Sequence, residues 1–138
     1  IHTVENRARY GAGSPGTAGM PRMFNTTPYL GAPAFTIGVD NVTPAGTAFL
    51  LLSLNALPAI GNGIHVDLSP QALLLVNGQL PYAGPTTNGA AAFGIAVPNV
   101  PALAGTVVYG QWAILDPLGT FSLGGLPFAL TDARAFRF

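Results

Sequence analysis

Residues 105–116, Gly-Thr-Val-Val-Tyr-Gly-Gln-Trp-Ala-Ile-Leu-Asp, constrain the fold more than any other stretch. No proline interrupts them, and β-branched and aromatic residues dominate, so the run reads as a strand. Alternation puts Val107, Tyr109, Gln111, Ala113 and Leu115 on one face, with Thr106, Val108, Trp112 and Ile114 on the other. Both faces are mostly apolar. The strand is therefore expected at the centre of a sheet, covered on one side by a second sheet and on the other by loop or partner surface. Gly110 falls mid-run, where a missing side chain lets a neighbouring ring or backbone come close.

Elsewhere 18 Gly and 13 Pro break the sequence into short apolar runs, the pattern of an all-β chain. The expected fold is an antiparallel β-sandwich, jelly-roll-like, with at most one short helical turn near residues 101–104. Pro101 would start that turn and Gly105 would lie just past its end. Further strands are expected over residues 1–10, 20–24, 34–39, 47–54, 64–68, 72–76, 90–97, 120–123, 126–131 and 133–138. Asn77-Gly78 and Thr86-Thr-Asn-Gly89 read as tight turns. The domain organisation follows: an N-terminal strand or arm at 1–10, a Gly-rich hinge at 11–19, and one sandwich domain over 20–138.

Charge excludes several functions. The chain carries five Arg, no Lys, four Asp and one Glu, and between Met23 and Thr131 only Asp40, Asp67 and Asp116 are charged. No basic footprint for nucleic acid exists, and no apolar run approaches the roughly 18 residues of a membrane-spanning helix. Without lysine there is no phosphate-loop motif, and no Gly-x-Ser-x-Gly elbow occurs. His65 and Asp67 lie two apart on one expected strand face, with only His2 or Asp116 as a third partner. Triad and metal motifs are absent, so an exposed polar strand face is the simpler reading. Asp40, Asn41 and Asp116 are too scattered for a calcium cage and suit turns better. No enzyme, metal or cofactor is expected. Asn25-Thr-Thr and Asn41-Val-Thr fit the glycosylation pattern. Tyr10, Tyr29, Tyr82, Tyr109 and Trp112 are the candidates for a sugar-stacking platform, with Tyr82, Tyr109 and Trp112 foremost, although a strand apolar on both faces favours a core role for Trp112.

Several pieces in order resemble a small secreted β-sandwich module found at the C-termini of large exported proteins of planctomycetes and similar bacteria. They are Tyr-Gly-Ala-Gly-Ser-Pro-Gly-Thr (10–17), Pro-Arg-Met (21–23), Gly-Ala-Pro-Ala-Phe-Thr-Ile-Gly (31–38), Ala-Phe-Leu-Leu-Leu-Ser (48–53), Ile-Ala-Val-Pro-Asn-Val-Pro-Ala-Leu-Ala-Gly (95–105) and Val-Tyr-Gly-Gln-Trp (108–112). The resemblance implies an extracellular or cell-surface, non-catalytic role and supplies no site residues. The chain starts at Ile1 rather than Met, so it is expected to be a processed protein or a fragment from which any export signal has gone, and without cysteine the redox compartment is not legible. Where relatives tend to carry cysteine, this chain has Ser14 and Ile64. If those cysteines pair in relatives, the missing bridge would be worth about 4 kcal/mol, and something else must hold the N-terminal segment.

The leading functional expectation is a secreted structural subunit that assembles with copies of itself into a filament, layer or matrix by strand exchange. A donated strand would seat Val4, Asn6, Ala8 and Tyr10, or alternatively Phe136 and Phe138 from the C-terminal segment. The second expectation, from a different class, is a carbohydrate-binding or sorting module recognising polysaccharide.

Overall fold

The computed structural model describes residues 7–57 and 63–138. Among them the chain is all-β, two antiparallel sheets packed as a sandwich, with one 3-10 turn at Pro101–Leu103. In chain order the strands are β1 (Arg7–Tyr10), β2 (Arg22–Asn25), β3 (Phe35–Asp40), β4 (Thr47–Ser53), β5 (Tyr82–Pro85) and β6 (Ala91–Ile95). Then come β7 (Val107–Leu115), β8 (Phe121–Leu123), β9 (Leu126–Leu130) and β10 (Ala133–Arg137). The larger sheet runs β1-β10-β7-β4-β5, with β9 on β7 and β8 on β9; the smaller runs β2-β3-β6.

The central strand is β7, as its two apolar faces require. One of its flanks pairs with β4 from Ser53↔Tyr109 to Thr47↔Leu115. On the other, β10 serves residues 107–110 and β9 serves 113–115. Where partners change, Thr131 fills the gap: its amide donates to the Trp112 carbonyl, and its Oγ1 accepts from the Trp112 amide at 3.0 Å. The even face of β7 holds Trp112 and Ile114 in the main core with Ile37, Val39, Leu50 and Phe136, between the two sheets. Its odd face carries Ala113 into a second core with Leu51, Val66, Phe128 and Leu130, beneath loop cover rather than a third sheet. The close approach expected at Gly110 is made by Phe136 and Leu52, each 3.0 Å from where a Cβ would stand.

Both Asn-Gly turns form. Asn77 and Gly78 have φ of 54° and 78° between bridged Val76 and Gln79, and Asn88 and Gly89 have φ of 54° and 76° between Thr87 and Ala90. Positive φ at both central residues suits the right-handed strand twist. Residues 64–68 and 72–76 are not strands: they make the single bridges Ala56↔Val66, Ser53↔Leu73 and Val76↔Gln79. β5, between Pro81 and Pro85, is a strand that propensity hides. It takes the β4 ladder at Thr47–Leu50, which leaves residues 72–74 only short contact with Leu52 and Leu54.

Candidate functional site

The Gly-rich residues 11–19 lack regular structure but are sealed to the sandwich rather than acting as an open joint. Ser14 exchanges main-chain hydrogen bonds with Leu130, 2.9 and 2.8 Å. A side chain at Gly13 would lie 2.2 Å from the Leu130 carbonyl oxygen, so only glycine allows this approach. Thr17 donates from its amide (2.8 Å) and its hydroxyl to the Asp116 carboxylate, which also accepts from the Leu118 amide at 2.9 Å. Tyr10 donates its hydroxyl to the His65 carbonyl at 2.8 Å. Burial, and then the neighbouring Tyr109, push the Tyr10 phenol up to about 12.

His65 is buried, against the expectation of an exposed polar face. Its Nε2 lies 3.2 Å from the Ala12 amide and 3.0 Å from the Ala12 carbonyl, so the ring tautomer decides which hydrogen bond forms. Its amide donates to Gln111 Oε1 at 2.8 Å. Gln111 Nε2 donates to the carbonyls of Gly63 (3.0 Å) and Thr131 (2.9 Å). This fully buried amide therefore ties the 63–65 loop, β7 and the β9–β10 corner together. Sequence reading passed over Gln111, although a carboxamide inside an apolar central strand is itself a signal, because a buried polar group needs partners. Together these contacts hold the N-terminal segment in a chain that has no cysteine to tie it down.

Asp116 gives a test in pH. Burial tends to raise its pKa, but the hydrogen bonds from Thr17 and Leu118 outweigh burial and hold it below the usual carboxylate range. Its folded pKa is depressed, so its stabilisation is present above the unfolded value of about 4 and is lost as pH falls through the folded value. Asp116→Asn is expected to cost about 2 kcal/mol at pH 7, with the gap to the wild-type chain closing below about pH 4. Thermal melts at pH 7 and pH 3 check this.

The remaining expected site residues fall as follows. Trp112 is fully buried, with Tyr82 packed edge-on at 5.5 Å on the same face, while Tyr109 lies on the opposite face of β7. The three rings therefore form no common platform, and the stacking site expected on them is corrected. Val4 and Asn6 lie outside the described residues. Ala8 pairs with Ala135, and Tyr10 packs inward against Tyr109 within its own chain. Phe136 is fully buried in the main core, and Phe138 packs edge-on against Phe35 at 5.4 Å. Asp67 accepts from the Ser69 amide, and Asp40 from Arg22 Nε, both at 2.9 Å. Asn25 and Asn41 donate their side-chain amides to the carbonyls of Thr26 and Met20. Among the described residues, no group of three or more His, Asp or Glu could hold a metal ion. None of the described helices is long and apolar enough to cross a membrane.

The sheet edges differ sharply. β1 carries Arg7 and Arg9, with Arg9 3.9 Å from Asp132. β2 carries Arg22, paired with Asp40. β5 is bounded by Pro81 and Pro85, and β8 is only three residues long. Charge, proline and shortness are the ordinary protections of an edge. β6, Ala-Ala-Phe-Gly-Ile, has none of them. Thr36 gives its main chain to β2, its carbonyl accepting from the Thr26 amide at 3.0 Å. Antiparallel alternation then turns Phe35, Ile37 and Val39 toward Ile95, Phe93 and Ala91. The amides and carbonyls of Ala92 and Gly94 consequently point away from β3, and both residues are exposed.

No family model, curated protein or solved structure matches the chain.

Proposed function

We propose that this is a non-catalytic structural subunit that assembles with copies of itself by pairing strands between subunits. The observation that carries the reading is β6, an uncharged, proline-free edge in a sandwich whose other exposed edges are guarded. An unguarded neutral edge is a template for another strand, and a body almost bare of charge does little to repel its own copies. The resemblance implies the extracellular or cell-surface setting, and the filament, layer or matrix form is part of the same proposal, motivated by the scarcity of charge. The polysaccharide-binding alternative is weakened because Trp112, the largest of its expected rings, lies in the core.

The test is an edge block that spares the fold. Gly94→Pro removes an outward N–H without touching the β3 ladder. The wild-type chain is expected to associate as concentration rises in light scattering, and Gly94→Pro to stay monomeric with its melting temperature nearly unchanged. A wild-type chain that stays monomeric at every concentration contradicts the reading.

A further inference from the structure

The geometry points to β6 of a second copy as the strand that docks on β6, related to the first by a two-fold axis passing between the two Phe93 residues. This inference rests on the assembly reading and specifies its partner. The outward main-chain groups on β6 belong to Ala92 and Gly94. An antiparallel copy placed with Phe93 opposite Phe93 sets Ala92 opposite Gly94 of the other copy, and Gly94 opposite Ala92. Those are the two residues able to exchange N–H···O=C bonds, so this register satisfies every outward group between them. A register displaced by one residue faces Ala92 and Gly94 with inward-turned groups and leaves them unpaired.

Charge also favours a copy of the same strand. In a two-fold interface each residue meets its own kind or its mirror partner, so a charged strand would oppose itself, whereas β6 has no charge. Side chains at Ala92 and Gly94 are small, and a neighbouring backbone can approach them without obstruction.

Beneath this edge lies an apolar floor. A cavity of about 160 Å³ opens beside Phe93 and Ile95, walled by Phe35, Leu52, Val76 and Phe138 among others. Ile95 and Val76 are each 45% exposed there. Inward side chains of a strand added about 4.8 Å away fall in the same layer as Phe93 and Ile95. The two Phe93 rings would then face each other across the axis as a non-hydrogen-bonded cross-strand pair, the closer type. The paired sheets become one six-stranded sheet, β2-β3-β6 continued by β6-β3-β2 of the second copy, and its main core extends across the axis.

The chain has no cysteine, which allows a direct test. A non-hydrogen-bonded antiparallel pair places Cα atoms about 4.5 Å apart, within disulfide range. Phe93→Cys is expected to form a self-linked dimer rapidly under mild oxidation. Ala92→Cys, which faces Gly94 on the opposite side of the sheet, is expected to link at least tenfold more slowly. Should Phe93→Cys fail to fold, a mixture of the single variants Ala91→Cys and Ile95→Cys replaces it, since those positions also face each other. Cross-linking in the mixture but in neither variant alone supports the register. Absence of cross-linking while the wild-type chain still associates, with Gly94→Pro still monomeric, overturns the two-fold pairing and leaves the assembly reading standing, with another segment such as residues 1–6 as the added strand. Absence of any association overturns both.

Discussion

Replacing Gln111 with leucine is expected to lower stability by about 4 kcal/mol, although the volume is nearly conserved. Three main-chain groups lose their partner: the buried His65 amide and Thr131 carbonyl, and the partly buried carbonyl of Gly63. Each orphaned group costs roughly 1–3 kcal/mol when water cannot replace the bond. For a domain of this size, the melting temperature should fall by about 10–15 °C. Gln111→Ala should cost about as much or somewhat more, because it adds a cavity to the same loss. A Gln111→Leu variant within about 1 kcal/mol of the wild-type chain in urea unfolding would show that the amide is not the tie described here. The effect should also reach the N-terminal segment, since the loop that Gln111 holds presents His65 to Ala12 and Tyr10.

The second large effect is expected at Trp112. Its side chain is the largest of those fully buried, and it sits where β4, β7 and the smaller sheet meet. Trp112→Ala should cost about 3–5 kcal/mol through lost burial and the cavity left behind. Trp112→Phe should cost much less: the indole nitrogen has no hydrogen-bond partner among the described residues, so the change removes an unsatisfied donor as well as volume. Equal losses for the two variants, measured by thermal or urea unfolding, would mean that the indole is held by something other than packing.

The sandwich was legible in the sequence because its main signals are local. Two apolar faces on residues 107–115 are enough to place a strand at the centre. Asn-Gly pairs set their own turn geometry, and proline followed by glycine bounds the short turn at Pro101–Leu103. Ladder competition is not local, and there the reading failed. Residues 64–68 alternate and 72–76 form an apolar run, as strands do, yet β5 takes the β4 ladder at Thr47–Leu50 and leaves the later segment a single bridge at Ser53, while residues 64–68 bridge only Ala56. β5 itself was masked by its flanking prolines, which are tolerated because it lies at the edge of its sheet.

Polar residues were misread for a related reason. His65 looked like part of a wet strand face, since nothing in its neighbourhood reveals that Ala12, 53 residues away, closes over it. Arg134 sits in a terminal segment that reads as charged surface, yet it reaches from β10 to Asn25 Oδ1 and the Met23 carbonyl on β2, joining the two sheets. The edge at β6 was only half visible. Scarcity of charge was plain from composition, but which strand would carry the bare edge depended on the sheet order.

Amide hydrogen exchange at Ala92 and Gly94, followed as a function of protein concentration, tests strand pairing most directly. Both amides should exchange quickly in dilute solution and become protected, at least tenfold, as the chain associates, while the exposed turn at Gly124 and Gly125 stays fast throughout. If association occurs and these two amides remain as fast as that turn, subunits meet through some other surface and β6 is not the joint.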